Sequence, residues 1–196
     1  MPSRNDLRAD LRFRLNEPVA SVWTDAELDS YLDHAMGSLY PHWYVFKTGT
    51  TTAGPGPEQT MPDGCRNLYY VGVKKDTSTR VRTIRGWHEG DGVAFIPKVN
   101  IDGDELSWAW TLPHEVPVFD DHDVTVPTQG IEVVVLRAQV TALERVLTNK
   151  VKNQLYFAVQ VREGVTENDL VNALDALHAS IDARMKDAPQ PPERVG

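Results

Sequence analysis

The stretch VWTDAELDSYLDHAMGSLYPHWY, residues 22–44, fixes where a helix begins and which side of it must be buried. An α-helix leaves its first four N–H groups without intrahelical partners. Thr24 offers an N-cap oxygen to one of them, and Glu27, three residues on, reaches back to the Thr24 N–H to complete a capping box. Trp23 and Leu28 flank the cap as a hydrophobic staple. Leu28, Tyr31, Leu32, Ala35 and Leu39 then recur at helical spacing as one apolar stripe, with Asp25, Asp29 and Asp33 off it, and Pro41 stops the run. Such a helix is built for packing, so its role lies in what it packs against.

The same chemistry returns near the other end. In VTENDL, Thr166 caps, Asp169 sits at the third helical position, and Val165 and Leu170 staple. Leu170, Leu174, Leu177, Ile181 and Met185 form the stripe. Before it, no proline interrupts residues 128–162, and Gly164 marks the end of that run. The pattern predicts one helix of about 30 residues, roughly 45 Å long. The run Val133-Val134-Val135 carries strand propensity and pulls against an early start. Ile131, Val134, Val135, Ala138 and Ala142 lie on one side, and Leu136, Val140, Leu143, Leu147, Val151 and Leu155 on another. Two apolar sides predict contact with the chain itself and with something else, which makes Leu143, Leu147, Val151 and Leu155 subunit-interface candidates. At the N-terminus, Leu7, Leu11 and Leu15 mark a short first helix ending before Pro18.

Between the helical segments the periodicity changes. Residues 47–66, KTGTTTAGPGPEQTMPDGCR, are rich in Gly, Pro and Thr and read as a long flexible surface loop. From Asn67, the runs LYYVGV, VRTIRGW, GVAFIP and ELSWAWTL are short, β-branched or aromatic, and separated by turns. Asp63-Gly64, Asp91-Gly92 and Asp102-Gly103 favour tight turns, and the last reads as a hairpin between KVNI and ELSWAW. Leu106, Trp108 and Trp110 alternate with Ser107, Ala109 and Thr111, placing both tryptophans on one face. The predicted fold class is therefore α+β. Helices over 7–46 and 128–186 form a bundle, with an antiparallel β insert over 67–112, all in one domain spanning 1–186. Residues 187–196, DAPQPPERVG, are a Pro-rich tail expected to be disordered.

With 196 residues, 41% of them hydrophobic, the chain is long enough for a real core. Its formal charge of −8 and pI near 5.2 argue against a phosphate-gripping surface. Arg4, Arg8, Arg12 and Arg14 are the densest basic group, but Asp6, Asp10 and Glu17 interleave with them, which reads as a solvated helix face. Cys65 stands alone, so no intrachain disulfide is expected. The charged N-terminus is not a secretory leader, and no segment approaches a membrane span.

Candidates for chemistry are thin. His88, Glu89 and Asp91 in HEGDG and Asp120, Asp121, His122 and Asp123 in DDHD bring metal-ligating residues together, but without zinc or calcium spacing. Polar turns explain both clusters, and His114-Glu115 between prolines is likewise a loop. Cys65 has no histidine beside it, and no nucleophile elbow, P-loop or dinucleotide fingerprint is present. The reading is not an enzyme, with no cofactor and no metal. A small hydrolase using His88 and the 120–123 cluster is the weakest alternative. A stronger one is a carbohydrate- or ligand-binding module stacking on Trp87, Trp108 and Trp110.

The order of parts resembles the head-tail connector (adaptor) proteins of tailed bacteriophages. The resemblance rests on Trp23, Thr24, Asp25, Glu27 and Leu28, on Leu112, Pro113, Asp120, Asp121 and Pro127 in the crossing, and on Arg137, Ala138, Ala142 and Leu143 after it. The Gly/Pro loop and the size of the β insert depart from the smaller, nearly all-helical members. The resemblance implies a homo-oligomeric ring beneath the portal, usually of twelve copies, joining the DNA-filled head to the tail. It implies a portal protein on one side and a tail-side stopper or tail terminator on the other. Double-stranded DNA would pass through the centre without sequence-specific binding. The location would be the virion's head–tail interface, after assembly in the host bacterial cytoplasm, with no membrane involved. An acidic protein suits a channel that passes DNA without holding it. In the tail, Pro189, Pro191, Pro192 and Arg194 become portal-docking candidates.

Overall fold

The computed structural model describes residues 2–17, 21–65, 67–75, 78–97, 101–115, 117, 119–160, 165–190 and 193. The protein is α+β, with five helices and two antiparallel sheets among the described residues. The sequence reading gives one domain over 1–186. The chain instead divides into two compact units: 1–43 with 114–189, which holds the helices, and 44–113 with 190–196, which holds the strands.

In the helical unit, α1 (Arg4–Arg14) and α2 (Asp25–Gly37) come from the N-terminal segment. The capping box predicted at Thr24 and Glu27 is present, and Trp23 and Leu28 are both buried. Helix α1 has a capping box of its own, Ser3 with Asp6, set before the first periodic leucine. After the β unit come α3 (Thr128–Thr148), α4 (Lys150–Gln160) and α5 (Glu167–Lys186), the last capped by Thr166 and Asp169 as predicted.

The single long helix predicted from residue 128 is two helices. Asn149 adopts an extended conformation, φ −114° and ψ 111°, and interrupts the backbone ladder. Its Oδ1 accepts from the N–H groups of Val151 and Lys152 at 3.0 and 3.2 Å, so the residue that ends α3 also caps α4. Asparagine competes for backbone N–H groups in this way more readily than it continues a helix. The predicted end at Gly164 lies outside the described residues.

Helix α3 packs against α1, α2, α4 and α5. One core runs from Leu7, Leu11 and Trp23 through Leu28, Leu32, Met36 and Val133–Leu136 to Leu170, Leu174 and Ile181. The irregular crossing before α3 also contributes, with Val124 and Val126 completely buried. Helix α3 begins without a side-chain cap. At Gly130, in its first turn, a Cβ would sit 2.7 Å from Val126 and 3.3 Å from the Trp43 ring. The missing side chain lets the helix seat against Trp43.

The β unit holds a four-stranded sheet, ordered β1 (Val45–Thr52), β7 (Glu105–Leu112), β3 (Leu68–Lys74) and β4 (Val81–Thr83). A three-stranded sheet is ordered β2 (Glu58–Thr60), β6 (Val93–Phe95) and β5 (His88–Gly90). Both sheets supply one core, which includes Leu68, Val71, Ala94, Ile96, Leu106, Trp108 and Trp110. The predicted flexible loop 47–66 is largely structured. Strand β1 pairs with β7 residue for residue from Val45↔Leu112 to Thr52↔Glu105. The Gly/Pro stretch that follows is tied by Gln59, itself only 2% exposed. Its amide oxygen accepts from Gly54 N–H at 2.8 Å, and its nitrogen donates to the carbonyls of Gly54 and Gly56. The described two-residue hairpin turn is Asp91-Gly92, joining β5 to β6. Asp102-Gly103 also turns, with Gly103 at φ 80°, and β7 pairs with β1 and β3; residues 98–100 of the predicted hairpin lie outside the described residues.

Two measurements test this packing. Replacing Gly130 by Ala in a helix interior ordinarily gains up to about 1 kcal/mol. Here overpacking against Val126 and Trp43 is expected to dominate, with a net loss of about 1–3 kcal/mol in urea unfolding. Thr24→Ala should cost about 1 kcal/mol through the lost cap, also read by urea unfolding.

Candidate functional site

Among the described residues, the arginines that the sequence singles out are engaged structurally. On α1, Arg4, Arg8 and Arg12 lie one helical turn apart, as do Asp25, Asp29 and Asp33 on α2. The two rows pair in opposite order. Arg4 Nη2 meets Asp33 at 2.6 Å, Arg8 grips Asp29 through two bonds of 2.7 and 2.8 Å, and Arg12 Nη2 meets Asp25 at 2.6 Å. The three arginine side chains are only 10–13% exposed. The solvated basic face expected from the sequence is thus a partly buried ladder between helices, its arginines covered and its Asp25 end open to solvent. Arg14 extends it to Glu132 on α3 with two bonds near 3.0 Å, and Arg184 on α5 reaches the same carboxylate at 3.3 Å.

Two further carboxylates lock the crossing and the approach to α2. Asp120 accepts from Arg8 at 2.6 Å, which binds one member of the DDHD cluster to α1. Glu17, 4% exposed, accepts from the backbone N–H groups of Ser21, Val22 and Trp23 and from Arg12. The sequence shows Glu17 only as a charge among others, because its role depends on a chain reversal that follows it.

Of the other cluster residues, His88, Glu89 and His122 make contacts, while Asp91, Asp121 and Asp123 are exposed. His88 stacks on Phe95 with ring centres 4.8 Å apart, and Glu89 accepts from the Leu68 N–H at 3.1 Å. His122 meets the edge of Phe119. Among the described residues, no group of three or more His, Cys, Asp or Glu side chains could hold a metal ion. Cys65 is buried, and burial together with the charge of Glu89 pushes its thiol up to about 11, away from reactivity. His114 bonds Thr125 at 3.0 Å, and burial holds its pKa below the usual imidazole value.

The tryptophan face is also internal. Trp87, Trp108 and Trp110 are 7%, 1% and 6% exposed, and Trp108 Nε1 donates to Thr51 at 2.7 Å. Sugar or base stacking needs an open ring face, and these three present none in the folded chain.

What the structure leaves open is surface. Of the four interface candidates, Leu143 lies in the helical core and Leu147 packs partly against it. Val151 and Leu155, on α4, are 63% and 44% exposed. They share an outward row with Gln154 and Ala158, while Lys152, Asn153, Tyr156 and Phe157 turn inward. Tyr156 meets the edge of Trp23 at 5.9 Å, and Lys152 bonds Glu27 and the Val22 carbonyl. The inner side thus anchors α4 and fixes the outer row in place. Of the tail candidates, Pro189 is exposed, while Pro191, Pro192 and Arg194 lie outside the described residues. The expected disorder begins too early at 187, because Ala188 is buried in the helical core.

No protein-family model matches the chain, and no curated protein matches it. No helix is long and apolar enough, among the described residues, to cross a membrane.

The ladder makes a prediction about acid. Bonds from Arg12 hold Asp25 below its usual carboxylate range, and bonds from Arg14 do the same for Glu132. Burial pushes Glu27 up, but the Thr24 N–H and Lys152 bring it net below its usual value. A carboxylate lowered in the folded state stabilises above its unfolded pKa and loses that contribution as pH falls through the folded one. Asp33, raised by burial, works in the opposite direction. The helical unit should lose stability as pH drops below about 4. Arg14→Met should flatten that dependence in acid titrations followed by circular dichroism.

Proposed function

We propose that the chain is a structural virion protein, one protomer of a ring beneath the portal that joins the DNA-filled head to the tail and lines the DNA channel. In this reading its helices form a connector-type bundle, with α1 and α2 before the β unit and α3 to α5 after it. The observation that carries the proposal is the pairing of a helical unit packed around its own continuous core with a rigidly held, exposed apolar row on α4. The arginine row of α1 is spent on holding helices together, which supports a role in which shape is the product. A ring protomer needs two dissimilar surfaces that meet and close by rotation. The partners proposed are further copies of the chain, the portal, and a tail-side stopper or terminator. The net charge of −8 suits the passage of DNA through the centre without adhesion.

Electron micrographs of the purified protein, alone and mixed with portal particles, test the reading. Closed rings, usually of twelve copies, should appear on the portal even where the free protein is monomeric. A chain that stays monomeric and leaves portal particles bare would refute it. Deleting residues 190–196 should leave the melting temperature unchanged, since the described residues there are exposed. The same deletion should reduce ring retention on DNA-filled heads if the tail docks on the portal.

A further inference from the structure

We infer that the outward row of α4 docks on the α5 flank around Val171 of a second copy of the chain, making a head-to-tail contact. The inference rests on the ring reading for its context but on separate residues for its content.

The first surface is apolar and cationic. Val151 and Leu155 stand exposed on α4, beside an exposed Lys150 that makes no ion pair among the described residues. Helix α4 holds no carboxylate, and since Lys152 turns inward to Glu27, Lys150 supplies the charge of this surface. The second surface is apolar and anionic. Val171 on α5 is 43% exposed, with Glu167 one turn before it and Asp175 one turn after. Both carboxylates are exposed, and neither makes an ion pair among the described residues. Each surface thus has an apolar centre and a charge of opposite sign beside it, so each is complementary to the other and repelled by its own copy. Like charges juxtaposed across an interface disfavour a two-fold contact, whereas opposite ones steer and orient a heterologous one.

The contact is small. An eleven-residue helix is about 16 Å long, which puts the interface below the standard size of stable complexes. Such a contact holds poorly as a single pair and well when closure or a template supplies many at once.

Cross-linking in the full-length protein tests it. Val151→Cys and Val171→Cys are made separately and together, and oxidised at high protein concentration; Cys65 is buried and remains in place. Mixing the two single variants should give disulfide-linked dimers, the double variant should give a ladder, and each single variant alone should stay monomeric. Lys150→Glu should reduce the cross-link at least tenfold, and Glu167→Lys with Asp175→Lys in the partner should restore it. Absence of the mixed dimer, or equal dimerisation of Val151→Cys by itself, overturns the inference. Rings without the 151–171 cross-link would remove this contact and leave the ring reading standing. A ladder without closed rings would do the reverse.

Discussion

The helical unit depends on Trp43 seated over the first turn of α3. Trp43 is the last residue before the chain departs into the β unit, and Gly130 is among the first after it returns. Every contact that joins α1 and α2 to the other helices spans that excursion of about seventy residues. Closing so long a loop costs only slightly more than closing a shorter one, because the entropy grows logarithmically with length. The cost is nevertheless met before any long-range contact forms, so the seat must be well shaped. A bare Gly130 and the fully buried Val124 and Val126 give it that shape.

Burial and charge divide the work of holding this unit. Apolar stripes on α2, α3 and α5 supply the non-directional attraction. The arginine ladder fixes registry, since Arg4, Arg8 and Arg12 meet Asp33, Asp29 and Asp25 only when α1 and α2 run antiparallel at one offset. Partly buried pairs of this kind contribute little net energy against an apolar substitute but oppose a shifted alignment. With those guanidinium groups committed, what remains to meet another molecule is the outward row of α4, the flank of α5, and scattered aromatics such as Phe13 and Phe119.

The helix starts at Thr24 and Thr166 were legible in the sequence because capping is local: the residues that make it lie within four positions of one another. The break at Asn149 was not, because continuous apolar periodicity on both sides concealed a residue that ends one helix and caps the next. Strand β1 was missed for a related reason. Lys47–Thr52 buries few side chains and is held by backbone pairing to β7, so it lacks the alternation that marks a half-buried strand. Its threonines were the available signal. Gln59 orders the Gly/Pro stretch through its own amide, which no periodicity reports. Among the interface candidates, pattern alone could not separate Leu143 from Val151. Both sit on the same apolar side in sequence, but the break at Asn149 puts Val151 on α4 and leaves Leu143 in the core of α3.

The excursion between Trp43 and Gly130 also sets an order for synthesis. Helices α1 and α2 leave the ribosome first, carrying Trp23, Leu28, Leu32 and Met36 toward a partner that does not yet exist. At roughly 5–20 residues per second, the hundred or so residues to the end of α3 take on the order of 5–20 s. During that interval the N-terminal hairpin is an amphipathic fragment with an uncovered stripe, while residues 44–113, which hold every strand of both sheets, are free to fold. The sheets can therefore form while the helical unit still waits for α3 to close it.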